Sequence, residues 1–536
     1  MNRSNQPIYM SNNYLLIVLS CALFFSNTAT GQSVSSDNII VQTEAGKVRG
    51  KLNDNISVFK NIPYAAAPVG NFRFAAPAKH TPWQDVRDAI QSGPTPPNPQ
   101  TTSHDMEDPT TSMGWVKGDD YLTANVWTPS VTGKRLPVMV YIYGGAFVLG
   151  ASDIPLFEGT SFAKKGVVLV SFNYRLGIEG FLKIEGVPTN IGIRDQIAAL
   201  KWVKDNISSF GGDPENVTIF GESAGAISVG VLVTSPAAKG LFKKAIMQSG
   251  SGQAVFSAEQ ADRIAKQYAK TLRIKNTRNA YMKFSPEELL EAQRKVTPKM
   301  VKLETNDSPD PSGGVALFFP VIDGEIVTDL PLKNVRNGKV LTENLMIGYN
   351  TDEMNSFLLP TGLLKKIKYN WILNLAVKKV HPAPSVLISV FKKVYPDKNL
   401  GELFSAILTS YQAQIPAIRF ASAHAANAKT YMYEFAWPSS VAGGTYGAFH
   451  GLEIPFVFNN LKVVDGPNKM LGPDGAPPEL ATKMQDAWVR FATTGNPGWD
   501  AYTKEDRKTM LINKTWQLQT NPHPTIVAAW DGVRDN

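Results

Sequence analysis

Beyond the first thirty-odd residues, short and near-continuous apolar runs alternate with stretches whose apolar positions recur at three- and four-residue steps. Pro137–Tyr143, Val167–Phe172, Val217–Phe220 and Leu345–Gly348 are runs of the first kind, the form expected of strands buried on both faces. Thr430–Trp437 alternates more strictly and is assigned to the same sheet, while Ile39–Thr43 and Gly46–Gly50 read as a pair of short strands. Ile193, Ile197, Leu200, Val203 and Ile207 form one stripe on a helix facing the sheet. Strand and helix in alternation predict an α/β domain with a mostly parallel sheet and helices on both faces. Active sites in such folds gather at the carboxyl ends of the strands. The stretches from about 257 to 311 and from about 363 to 411 are helical in pattern, and they are expected to cover the core and the mouth of any site.

Composition supports one large globular domain: 43% of the 536 residues are hydrophobic and 19% are charged. The net charge of +8 is small for this length, and its lysines read as scattered pairs such as Lys365-Lys366. No nucleic-acid motif accompanies them, so nucleic-acid binding is not expected. The apolar run Tyr14–Phe25 is short for a membrane span and suits the core of a signal peptide, with Ala29 and Gly31 before a cut preceding Gln32. Residues 1–31 are therefore expected to be removed, leaving 32–536 as one secreted or periplasmic domain without a membrane span. The single cysteine, Cys21, lies in that run. A lipid anchor through it is the minor alternative, and without it the mature chain has no thiol or disulfide chemistry.

The chemistry centres on Gly221-Glu222-Ser223-Ala224-Gly225. A strand precedes this pentapeptide and an apolar helix follows it, so Ser223 falls in the strained strand-to-helix turn of a nucleophile elbow. A serine attacking a carbonyl needs N–H donors aimed at the developing oxyanion. Ala224 and the Gly-rich loop after Pro137–Tyr143, with Gly145 and Ala146, are the candidates. In a fold of this kind the acid and then the histidine follow the serine, which removes His80 and His104. His424 reads as a helix-surface residue, and His381 and His523 lie beside prolines in polar loops. His450, in the small-residue loop after the Tyr431 strand, remains as the base. The acid lies in Tyr349-Asn350-Thr351-Asp352-Glu353, where either carboxylate could orient the imidazole.

These residues, with Phe59–Ala65, Asn173–Gly177, the run from Asn190 to Ala226, His450–Pro455 and Thr494–Pro497, resemble the type-B carboxylesterase family. The resemblance implies the α/β-hydrolase fold with helical insertions over the active site, and Glu353 as the acid of a triad with Ser223 and His450. It implies Gly145, Ala146 and Ala224 as oxyanion donors, a small-molecule carboxylic ester as substrate, and no metal or cofactor. An amidase or carbamate hydrolase with the same triad, or a binding module on the same scaffold, are the alternatives. Phe147 and Phe357 are expected to line the pocket. Activity is expected to fall as His450 protonates below about pH 6 to 7. The chain departs from the family at Tyr121, where a disulfide cysteine is usual, and its partner near Gly93–Pro97 is also missing. Asp119 stands where a Glu is usual and is expected to pair with Arg73. Met354 replaces a glycine after the acid and is expected to alter the site wall. No aromatic is assigned to the place of a choline-binding residue, although Trp115 is nearby, and choline specificity is not implied.

Overall fold

The computed structural model describes residues 38–99, 114–304 and 309–534. The leader, Cys21 and residues 100–113, including His104, lie outside the described residues.

Among the described residues, thirteen strands form one sheet: β1 (Asn38–Gln42), β2 (Lys47–Asn53), β3 (Ile56–Pro63), β4 (Arg87–Asp88), β5 (Thr123–Thr128), β6 (Leu136–Ile142), β7 (Val168–Phe172), β8 (Gly212–Glu222), β9 (Lys244–Gln248), β10 (Asn344–Asn350), β11 (Lys429–Phe435), β12 (Thr509–Ile512) and β13 (Trp516–Gln519). Their order is β1-β2-β3-β5-β7-β6-β8-β9-β10-β11-β12-β13, with β4 beside β2. From β7 to β12 every neighbouring pair is parallel. Antiparallel strands flank this block on both sides. The apolar runs occupy its centre: every residue of β7 and β9 is buried, as is every residue of β10 after the first. Helices on both faces supply that burial.

The helix Ile191–Asn206 places the predicted stripe against the sheet, with Ile193, Leu200 and Val203 buried. The helix Ala224–Leu232 follows β8 directly and packs on β8 and β9. Four helices after β10 (Leu363–Lys366, Asn370–Val377, Pro384–Val394 and Leu400–Thr409) form a cap. Its own apolar cluster, including Leu373, Phe391, Ile407 and Trp530, is separate from the main core. The sheet thus aims the carboxyl ends of β6, β8, β10 and β11 toward one region, and the loops leaving those four strands carry all the predicted chemistry.

Two departures from the family pattern have structural answers. Tyr121, at the position where a cysteine is usual, is buried and donates its hydroxyl to Glu179 Oε2 at 3.3 Å. Thr95 and Val116 close the same loop by paired bonds, Thr95 N to Val116 O at 3.0 Å and Val116 N to Thr95 Oγ1 at 2.9 Å. The expected Asp119–Arg73 pair does not form. Arg73 bonds Glu179 Oε1 at 2.7 Å, because Glu179 is buried beside it while Asp119 is exposed.

Candidate active site

The elbow at Ser223 is built by exclusion of side chains. Ser223 sits between β8 and its helix with φ 55° and ψ −122°, a conformation costly for any residue with a Cβ. A Cβ at Gly225 would lie 1.9 Å from the Ile142 carbonyl oxygen, and one at Gly221 would lie 2.6 Å from the same atom. Only glycine fits at either place, so the G-x-S-x-G spacing is a packing requirement of β6 against the turn. Gly144 is a third such position, where a Cβ would stand 2.8 Å from Glu222 and 3.0 Å from Ser223 Cβ. The Ser223 N–H is held by Gln248 O at 2.9 Å, which ties the elbow to β9 and leaves the side chain half-open to solvent.

After β6 the chain runs through Gly145 (φ 101°), Ala146 (φ 52°) and Phe147 (φ 61°). Three successive positive φ values turn the backbone tightly, and the Gly145 carbonyl accepts from Val148 and Leu149 N–H at 2.9 Å each. Among the described residues, no hydrogen bond uses the N–H groups of Gly145 and Ala146. Ala224 is the first residue of its helix, where an N–H has no intrahelical acceptor and the dipole is positive. Phe147 itself is fully enclosed, with its ring 4.5 Å from that of Phe181 and 6.1 Å from that of Phe319. It is a core residue beneath the loop, at a position that the sequence reading expects to line the pocket. Phe357 is half exposed, and its ring centroid lies 5.1 Å from that of His450.

The loop after β10 holds Glu353, buried and with Oε2 2.5 Å from His450 Nδ1. The Asn350 N–H fixes its other oxygen at 2.8 Å. Asp352 does different work. Its N–H donates to Ala448 O at 3.0 Å, and its Oδ2 accepts from Ala448 N at 3.1 Å. This two-point clasp holds the loop two residues before His450. Gly447 (φ 64°) is required there, since a Cβ would lie 2.5 Å from Asp352 Oδ2. Met354, next to Glu353, is buried in the apolar cluster of the cap.

Two buried carboxylates complete the surroundings of the imidazole. Glu222 Oε1 is 3.1 Å from His450 Nε2. Glu453, fully buried, accepts from Asn350 Nδ2 at 2.6 Å and Gln248 Nε2 at 3.3 Å. Burial alone would lower the His450 pKa, but Glu222 and Glu353 outweigh it and hold the pKa above the ordinary 6.5. Burial, and then the neighbouring Glu353 charge, push Glu453 up to about 7. An imidazolium with N–H on both nitrogens satisfies Glu353 and Glu222 together. The neutral tautomer with its hydrogen toward Glu353 frees Nε2 to accept a proton. No described hydrogen bond joins His450 to Ser223 Oγ; bonds of this kind often tighten only when substrate is bound.

The other described histidines are engaged elsewhere. His424 is fully buried, not on a helix surface, and lies between Thr342 Oγ1 at 2.9 Å and Thr430 Oγ1 at 2.8 Å. His381 is buried beside Trp530, His523 faces Glu434, and His80 lies against Thr81 O. Trp115 carries this chain's own Lys117 over its ring at 5.0 Å. Glu222 and Glu453 sit inside motifs visible in the sequence, one residue before the serine and three after the histidine. Only the folded arrangement assigns them to the imidazole.

An open serine on a strained turn, a histidine on a buried carboxylate and unpaired N–H groups nearby define an α/β-hydrolase with a serine-based site. The carboxylesterase family model matches residues 37–530, and the chain belongs to that family. It is 36% identical to para-nitrobenzyl esterase of Bacillus subtilis, over 90% of this chain and 96% of that protein. It is 31% identical to acetylcholinesterase of Bungarus fasciatus, over 96% and 89% of the two chains. A solved carboxylesterase of Geobacillus stearothermophilus superposes with a TM-score of 0.79 at 35% identity, covering 92% of this chain and 99% of that one. The chain is a serine hydrolase of carboxylic esters.

Proposed function

We propose that Ser223 is the nucleophile of a two-step acyl transfer, with His450 as base and Glu353 as the residue that orients it. The observation that carries this reading is the junction of β8 and its helix. There Ser223 is held at φ 55°, next in the chain to Glu222, whose Oε1 lies 3.1 Å from Nε2 of His450, and His450 is paired with Glu353 at an N···O distance of 2.5 Å. His450 Nε2 takes the Ser223 proton as Oγ attacks the ester carbonyl, and Glu353 stabilises the imidazolium. The N–H groups of Gly145, Ala146 and Ala224 receive the oxyanion. The imidazolium then protonates the departing alcohol. Water attacks the acyl-enzyme as His450 accepts its proton, the imidazolium returns that proton to Ser223 Oγ as the acyl–oxygen bond breaks, and the acid leaves.

Glu222 adds a second negative charge beside the ring and favours the charged histidine that forms in each half-reaction. Ser223→Ala is expected to remove nearly all turnover of an aryl ester while leaving the unfolding midpoint unchanged. Assaying a matched ester and anilide in parallel separates esterase from amidase preference, and substantial turnover by the Ala variant would defeat the assignment.

Export follows from the leader: the apolar run Tyr14–Phe25 and the small residues Ala29 and Gly31 support cleavage before Gln32. N-terminal sequencing of enzyme recovered from the periplasm or medium checks this, and a mature chain starting at a lipid-modified Cys21 would replace it with the anchored form.

A further inference from the structure

Pairs of lysines that look scattered along the chain are gathered by the cap. From Met354 to Pro396 there are seven lysines and no acidic residue, so this segment holds nearly all of the net charge of +8. All seven, from Lys365 to Lys393, are exposed. Among the described residues none of them is in an ion pair. Lys392 alone has a described side-chain partner, Asn370 Oδ1 at 3.0 Å.

Large apolar side chains stand exposed among these charges: Leu363, Tyr369, Trp371, Leu375 and Val386, with Trp371 67% and Leu375 61% accessible. In the helix Asn370–Val377, Leu373 and Val377 face inward to the cap's apolar cluster. Trp371 and Leu375, one turn apart, face outward, with Lys368 before them and Lys378 after them at helical spacing. In Pro384–Val394, Leu387, Ile388 and Phe391 are buried while Val386 and Lys393, seven residues apart, are exposed. Such a face, apolar and aromatic in the middle and lysine-rich around it, matches an interfacial element that rests on a lipid headgroup layer.

We propose that the outer face of this cap docks on an anionic lipid bilayer. Charge complementarity selects the occupant. A second copy of the chain, paired through the same face, would set seven lysines against seven. A nucleic acid or acidic protein would satisfy the lysines and leave Trp371, Leu375 and Val386 without a partner. An anionic bilayer takes both: headgroups receive the ammonium groups, and the apolar side chains enter the acyl boundary. Phe357, half exposed against His450, sits at the base of the same segment, so docking would bring the mouth of the site close to the surface. The lipid contact stands on the cap alone and does not depend on the reaction proposed above.

Co-sedimentation of the full-length mature enzyme with vesicles tests it, using phosphatidylcholine alone and equal parts of phosphatidylcholine and phosphatidylglycerol. Binding is expected to be at least about tenfold stronger on the anionic vesicles and to weaken as salt is raised. The double variants Trp371→Ser/Leu375→Ser and Lys378→Glu/Lys379→Glu are each expected to cut binding at least about fivefold. Both should keep the parent's melting curve and its turnover of a soluble ester. Equal or absent binding on the two vesicle types overturns the proposal. So does loss of binding in the lysine variant alone, which would reveal a general polyanion attraction. A dimer in light scattering that Trp371→Ser/Leu375→Ser dissolves would assign the face to a second copy instead.

Discussion

Glu222→Gln isolates the charge that the structure sets against the His450 imidazole. The substitution keeps the shape of the side chain and removes one negative charge 3.1 Å from His450 Nε2. At about 4 Å and an effective dielectric of about 20, a unit charge pair is worth about 4 kcal/mol. At about 1.4 kcal/mol per pKa unit, that is about 3 units. Shifts from one opposite charge at such range run about 1–3 units, so the worked value is the upper end. The sign follows from which form is stabilised. Glu222 raises the His450 pKa by favouring the imidazolium, so its removal lowers the pKa and leaves more neutral base at a given acidic pH.

The acid limb of kcat/KM for an aryl ester is therefore expected to move down by about 1–3 pH units. The plateau above the limb should fall as well, because the same charge stabilises the imidazolium in the transition state. A full pH–rate profile of parent and variant reads both effects. An unmoved limb, or one displaced upward, would refute the electrostatic account of Glu222.

Three other perturbations probe the scaffold. Asp352→Ala removes the side-chain half of the clasp on Ala448; kcat is expected to fall about five- to thirtyfold, equivalent to about 1–2 kcal/mol, with KM little changed. Asp352→Asn, which keeps an acceptor, should restore most of it, and a change confined to KM would contradict the positioning role. Gly225→Ala forces a Cβ to 1.9 Å from Ile142 O and is expected to destabilise the fold by at least about 3 kcal/mol, read as the denaturant midpoint. Burial lowers His424 to about 4 from 6.5, so its contribution is complete above pH 6.5 and is lost as pH falls through about 4. The maximum loss is about 3 kcal/mol, and His424→Gln should flatten the acid slope of stability by that amount if the buried ring is its source.

The parts of this molecule that could be read from sequence are those whose cause is local. β6, β7 and β10 announce themselves as apolar runs because both faces of a central parallel strand are covered. The elbow is legible because two glycines two residues either side of a serine answer to one nearby carbonyl, Ile142 O. β9 escaped because it is short and begins with Lys244, whose Nζ is satisfied by Asn216 of the adjoining strand. His424 reads as a surface residue because its alanine neighbours suit a surface helix as well as a tightly packed one; the two threonines that satisfy its ring come from residues 342 and 430. The roles of Asp352 and Glu353 could not be divided by chemistry alone, since the division depends on which side chain points at the imidazole and which at the Ala448 backbone. The cap lysines share one stretch of sequence, Met354–Pro396, but only the helix turns set Lys368 and Lys378 on the face that carries Trp371 and Leu375.

The central claim is that one side chain, Ser223, becomes covalently acylated. Treating the enzyme with an aryl phosphonate and mapping the adduct by peptide mass spectrometry tests it directly. One equivalent of label is expected, on Ser223, appearing in step with loss of esterase activity, and no label in Ser223→Ala. Inactivation with the label on another residue, or full activity with Ser223 labelled, would contradict it.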